Sequence, residues 1–147
     1  MPTVCTIGTT QKSLEQFIRL LQGAGVDAVV DVRLRNTSQL AGFAKRDDLA
    51  FLLTEGFGIQ YEHRPDLAPT AEIMDAYKAG RDWPAYEREF LALLAQRGAE
   101  EIGRELLARY RCPCLLCAEP QPHRCHRRLV AEWWARRIPG LEVLHLV

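Results

Sequence analysis

Arg111-Cys112-Pro113-Cys114-Leu115-Leu116-Cys117-Ala118-Glu119, continued by Pro120-Gln121-Pro122-His123-Arg124-Cys125-His126-Arg127-Arg128, sets the architecture of this chain. Cys112 to Cys117 is a short apolar run closed by a Pro-x-Pro turn, which predicts a buried strand. After the turn, Leu129, Val130, Trp133 and Trp134 recur at helical spacing. They predict a helix packed on a sheet, with Arg127, Arg128, Arg136 and Arg137 mostly off its apolar stripe. Cys125 to Arg128 then fall at or near the first turn. Cations there oppose the helix dipole unless an anion or an acidic side chain lies close. A strand, a loop and a helix start in this order also leave free N–H groups that favour negative charge. Together these features point to a functional site.

Upstream, Thr3 to Ile7 is a β-branched run followed by Gly8-Thr9-Thr10, read as a first strand and its turn. Ser13-Leu14-Glu15-Gln16 fits a capping box, opening a helix that buries Leu14, Phe17, Ile18 and Leu21 and stops at Gly23 to Gly25. Val26 to Arg33 is a second strand, apolar at its centre as a strand covered on both faces requires. The β-α-β order makes the two strands parallel. Asp31 and Arg33 share a face at the end of that strand, placed to pair with each other or with a ligand. Leu34 to Ala44, with Arg35, Asn36, Thr37 and Ser38, is a polar loop leaving the strand's carboxyl end, where open α/β sheets bind ligands.

A short helix from Asp47 to Glu55 precedes a third strand, Ile59 to His63, in which His63 is read as a packed, hydrogen-bonded residue. Thr70 caps a helix through Ala79, and Pro84 sits in the first turn of the next, with Tyr86, Phe90, Leu93 and Leu94 inward. Another helix covers Ala99 to Tyr110, and Leu141 to Val147 is a last strand. The expected fold is a single Rossmann-like three-layer α/β domain over residues 1–147, with about five mostly parallel strands flanked by helices.

Nineteen cationic and nineteen anionic side chains cancel, so any attraction to polyanions is local. It concentrates between Arg109 and Arg137, where seven arginines meet only Glu119 and Glu132. No charged-then-apolar leader is expected from the opening residues, and no run approaches the roughly 18–20 apolar residues of a membrane span. A cytoplasmic protein without a membrane partner is expected. Five cysteines without a secretory signal suggest reduced thiols, a catalytic thiol or metal ligands rather than a disulfide framework.

Three readings of the cysteines stand side by side. The first is zinc: Cys112, Cys114, Cys117, His123, Cys125 and His126 exceed four ligands. Along a strand, however, Cys114 and Cys117 lie about 10 Å apart on opposite faces, leaving a smaller set drawn from Cys117, His123, Cys125 and His126. In the second, Cys117 is a nucleophile whose thiolate is favoured by nearby arginines and a helix N-terminus. Rhodanese-like and cysteine-phosphatase sites share that layout, although Cys117 and Arg124 enclose six residues, one more than the phosphatase loop. The third makes the thiols small buried residues, which suits Cys5, Cys112 and Cys114. It does not explain the crowding of Glu119, His126, Arg127 and Arg128 on one loop.

Thr6-Ile7-Gly8, Val30-Asp31-Val32-Arg33, Leu115-Leu116-Cys117-Ala118-Glu119 and Cys125-His126-Arg127-Arg128, in this order, resemble the motifs of the DUF488 family over nearly the whole chain. The family usually continues the first motif as Gly-His-Ser, whereas Thr9-Thr10 stand here. It carries no established activity to transfer. The resemblance implies an α/β domain with the motifs gathered at one sheet edge, bringing Gly8, Asp31, Arg33, Cys117, Glu119, Cys125, His126 and Arg127 together. The resulting expectation is an enzyme acting on a phosphate-bearing substrate, a nucleotide or a nucleic-acid end. Cys117, Glu119, His126 and Asp31 are its catalytic candidates; Gly8, Thr9, Arg33, Cys125 and Arg127 are its binding candidates. The alternatives are a non-enzymatic module binding nucleic acid or protein through the basic region, and a Cys/His zinc protein. Trp133 and Trp134 on one helix suggest surplus apolar surface and hence a homodimer.

Overall fold

The protein is described from a computed structural model covering residues 2–37, 42–119 and 121–147. Ser38 and Pro120, named above, lie outside the described residues. Five strands, β1 (Thr3–Gly8), β2 (Ala28–Asp31), β3 (Gln60–His63), β4 (Pro113–Cys117) and β5 (Glu142–Leu146), form one sheet in the order β3-β2-β4-β1-β5. Every pairing is parallel. The six α-helices are α1 (Leu14–Gly23), α2 (Arg46–Phe51), α3 (Ala71–Gly80), α4 (Trp83–Arg97), α5 (Ala99–Arg109) and α6 (His126–Arg137). α2 runs on into a π-helical turn, Leu52–Gly56, so the helix expected over 47–55 is present but widens at its end.

The local signals act as their chemistry dictates. Ser13 and Gln16 close a reciprocal capping box on α1, Thr70 caps α3 through the Ile73 N–H, and Asp82 caps α4 ahead of Pro84. Gly98, at φ 69°, is both the last cap of α4 and the first of α5. That left-handed corner suits a residue without Cβ.

Alternation along the strands divides the core in two. Cys5, Ile7, Val29, Cys114 and Leu116 pack with Phe17, Leu21, Leu49 and Leu53 of α1, α2 and the π turn. Val4, Val30 and Leu115 pack with Phe90, Leu94, Leu106, Leu129 and Trp134 of α4, α5 and α6. The three layers are therefore helices, sheet, helices.

β1 and β2 are parallel, as expected, and β4 lies between them and pairs with both. Two expectations need correction. The second strand ends at Asp31 rather than Arg33; Val32 and Arg33 lead out of the sheet, although the Val32 N–H still reaches the Leu116 carbonyl at 3.0 Å. Trp133 and Trp134 leave no surplus surface: both are buried, Trp134 by packing on α5, where its indole N–H donates to the Ala99 carbonyl at 2.8 Å. Among the described residues, no helix is long and apolar enough to cross a membrane.

Candidate functional site

In a parallel sheet all carboxyl ends lie along one edge, and the β2–β4 junction opens there into a cavity of about 190 Å³. Its lining comes from five places in the chain: Arg33 to Arg35 after β2, the end of α3, the start of α4, Cys117 to Glu119 at the end of β4, and Arg124 to His126 entering α6. Cys117 reaches the cavity because it shares the Leu115 face of β4, the face turned to α6.

At the cavity floor the Sγ atoms of Cys117 and Cys125 and a ring nitrogen of His126 lie within 4.8 Å of one another, all buried. His126 Nδ1 is 3.8 Å from Cys117 Sγ, while Nε2 is 2.6 Å from the Val32 carbonyl oxygen. A carbonyl can only accept, so Nε2 carries a proton. In the neutral ring Nδ1 is then the acceptor facing Cys117. When the thiol gives up its proton, His126 becomes an imidazolium donating to both neighbours.

The surroundings favour that ionised pair. The Cys125 thiol, hydrogen-bonded to Cys117, draws the Cys117 thiol well below its ordinary range against the opposing effect of burial; the His126 charge and the Glu119 N–H add to it. Burial and the neighbouring Cys117 thiolate push Cys125 well above the ordinary value. Burial alone would lower His126, but the Cys117 charge and hydrogen bond raise it on balance. Cys114, enclosed in the core, is pushed up by burial.

Arg33 forms the cationic wall. Its Nε and Nη2 each donate to the Asp31 carboxylate at 2.8 Å, and the backbone N–H of Arg33 adds a third bond. Asn36 and the Tyr61 hydroxyl also donate to Asp31. Nη1 of Arg33 has no partner among the described residues, although the side chain is only 3 % exposed and lines the cavity. Burial works against ionisation of Asp31, yet the Arg33 and Tyr61 hydrogen bonds keep its carboxyl below the usual range. The opening carries exposed Lys78, Arg81 and Arg124, and among the described residues Glu119 is the sole carboxylate lining it. Tyr77, Trp83 and Tyr86 make the remaining wall, Trp83 and Tyr86 stacked at 5.0 Å.

Of the residues singled out from the sequence, Arg33, Cys117, Glu119, Cys125 and His126 line this one cavity, with Asp31 directly behind Arg33. Gly8, Thr9 and Arg127 do not line it. Arg127 lies fully buried inside α6 rather than off its apolar stripe; Nη1 donates to the Glu119 carbonyl at 2.5 Å and to Cys125 Sγ at 3.6 Å. It holds the loop, and its Nε and Nη2 have no partner among the described residues. Gly8 and Thr9 lie under the same loop, the Thr9 N–H bonding the Cys117 carbonyl at 3.1 Å. His123 is exposed and apart from the Cys/His cluster, and His63 bonds the Arg33 carbonyl as a packed histidine would.

Asn36, read as a donor in the loop after the second strand, bonds Asp31; the sequence reading missed the part of Tyr61, which also bonds Asp31, and the Tyr77-Lys78…Arg81-Asp82-Trp83 corner between α3 and α4. The corner did leave a signal, since aromatic and basic residues cluster around a helix boundary. Nothing local tied that boundary to the Cys117 loop.

Comparison with the curated proteins and with the solved structures finds no match. Comparison with known families matches residues 13–134 of the 147 to "Domain of unknown function DUF488". The match takes in the Asp31, Cys117 and Cys125-His126-Arg127 motifs and begins downstream of Thr6-Ile7-Gly8. With more than half of its length matched, including the residues that build the cavity, the chain belongs to the DUF488 family.

Proposed function

We propose that the chain is an enzyme acting on a phosphate-bearing substrate, a nucleotide or a nucleic-acid end, with Cys117 as its nucleophile. The observation that carries this reading is the line from Cys117 Sγ through His126 to the Val32 carbonyl at the floor of a cation-rimmed cavity. A nucleophile, a base within reach and a third group orienting the base form the general pattern of an activated thiol. Arg33 offers Nη1 to a substrate oxygen, held in position by Asp31, and Lys78, Arg81 and Arg124 supply further positive charge. Glu119, at the opening, is the group available to exchange a proton with bound substrate.

The test is protection of Cys117 from iodoacetamide by nucleoside monophosphates, sugar phosphates and short oligonucleotides. At least one class should protect, and protection should weaken in Lys78→Ala and Arg81→Ala, whose side chains are exposed, with melting temperature as the control for folding. Alkylation unaffected by any of them would sink the phosphate reading.

A second reading has its own support. Two sulfurs and one imidazole nitrogen converge, and the far ring nitrogen is fixed by a backbone carbonyl, as metal-bound histidines commonly are. That donor set suits zinc with a fourth position open to the cavity. Stoichiometric zinc in the purified protein would favour this reading over the free thiol. The basic-module reading finds less support, because its arginines are largely engaged: Arg109 pairs with Glu62 and Glu105, Arg128 with Glu87 and Glu132, and Arg137 lies over the Trp133 ring.

A further inference from the structure

We propose that Cys117 and Cys125 form a redox pair, in which Cys117 reduces a hydroperoxide in the cavity and Cys125 then closes a disulfide with the oxidised sulfur. This rests on the reading of Cys117 as the reactive thiol. Both side chains line the cavity, their sulfurs within 4.8 Å. Cys125 precedes the first residue of α6 with an extended backbone and makes no side-chain cap to the helix; Nη1 of Arg127 donates to its sulfur at 3.6 Å and holds it beside Cys117. A disulfide requires the sulfurs to come to about 2.05 Å. The remaining approach falls to two side chains and the seven residues between them, which belong to neither β4 nor α6.

The molecule contains its own control. Cys5 and Cys112 also have neighbouring sulfurs, 3.6 Å apart, and are buried like Cys117 and Cys125, but neither lines the cavity. Proximity alone therefore does not distinguish the Cys117–Cys125 pair; access and chemistry do.

The step balances with groups at the site. The Cys117 thiolate attacks the outer peroxide oxygen, so that an S–O bond forms as the O–O bond breaks. The departing alkoxide takes the proton held by His126, and Arg33, which lines the same cavity, is the cation available to the charge that develops there. Cys125 next attacks the sulfenic sulfur; the S–S bond forms as the S–O bond breaks, and hydroxide leaves as water with the Cys125 proton. In sum, two thiols and one hydroperoxide give one disulfide, one alcohol and one water, and a small-molecule dithiol returns the pair to the reduced state. While the disulfide stands, Cys117 cannot attack any other substrate.

The experiment treats the reduced full-length protein with hydrogen peroxide and maps its peptides by mass spectrometry without reduction. One Cys117–Cys125 linked pair per chain is expected, reversed by dithiothreitol and lost in Cys117→Ser and Cys125→Ser. In Cys125→Ser, dimedone should capture Cys117 as its sulfenic acid. Linkage of Cys5 to Cys112 ahead of the proposed pair overturns the inference. So does oxidation of Cys117 to the sulfinic acid with no linked peptide, or protection of Cys117 that a chelator relieves. If iodoacetamide still labels Cys117 in those cases, the reactive-thiol reading survives; if Cys117 resists both reagents, the two fall together.

Discussion

The backbone carbonyl of Glu119 crosses Gly8 so closely that a Cβ on Gly8 would stand 1.6 Å from its oxygen and 3.1 Å from Nη1 of Arg127. No rotamer change relieves a clash with backbone. The glycine of the first motif is therefore a space requirement set by the loop of the third, and Arg127 of the fourth secures the arrangement from the other side. Gly8→Ala should destabilise the protein by about 1–3 kcal/mol, as overpacking does. It should also slow iodoacetamide labelling of Cys117, because the displaced loop carries the Glu119 N–H that faces the thiol. Urea unfolding and labelling rates check both; an unchanged midpoint would show that the loop yields without cost.

Asp31 gives acid sensitivity with a definite sign. Its carboxyl is held below its usual range in the folded protein, so the unfolded chain binds its proton first as pH falls. The stability it contributes is complete above the unfolded value of about 3.9 and is lost as pH drops through the folded value. Asp31→Ala, which leaves Arg33 buried without its partner, should destabilise by about 3–5 kcal/mol at neutral pH. It should also flatten the decline in melting temperature below pH 4. A variant curve running parallel to wild type in acid would contradict this assignment.

His126 is expected to govern the reactivity of Cys117 rather than its position. Replacement by Gln can keep a bond to Val32 but offers no imidazolium, so iodoacetamide labelling of Cys117 at neutral pH should fall by about tenfold or more, the scale of a lost positioned base. Melting temperature serves as the control for folding. Equal labelling in the variant would mean that Cys125 and the Glu119 N–H suffice to hold the thiolate.

Gly103 tests the α5–α6 seam, where an added Cβ would stand 2.5 Å from Nε1 of the buried Trp134. Alanine gains about 1 kcal/mol of helix propensity. Against this stand overpacking of about 1–3 kcal/mol and the indole hydrogen bond to Ala99, worth about 1 kcal/mol. Gly103→Ala should thus be less stable by about 1–3 kcal/mol in urea unfolding, and a more stable variant would show that Trp134 has room to move.

Much of this architecture is legible in the sequence because its signals are local. The Ser13 and Thr70 caps, Pro84 in the first turn of α4 and the apolar centres of β2 and β4 each announce their element within a few residues. The convergence of Arg33, Cys117, Cys125 and His126 is legible for a different reason: parallel strands put every carboxyl end on the same edge. Strand order is not local. Nothing within Val26 to Arg33 shows that its neighbour arrives some eighty residues later, and so the pairing of Val29 with Cys114 was out of reach. Arg127 was misplaced because a charged residue reads as solvent-facing, whereas the Glu119 carbonyl and Cys125 sulfur give it an interior setting that no periodicity reveals.

The place of β4 between β1 and β2 also bears on how the chain acquires its shape. Until residues 113–117 are available, β1 and β2 have no common partner, and the β2–β3 pair and β1 are separate fragments with open edges. Joining them requires contacts distant in sequence, such as Cys5 with Cys114 and Val29 with Cys114, whose formation carries the loop-closure cost of non-local pairing. Because β4 ends in Cys117 and leads at once into the cavity loop, the strand that closes the sheet is the one that delivers the thiol. A nascent or truncated chain lacking it has neither the cavity nor its thiol.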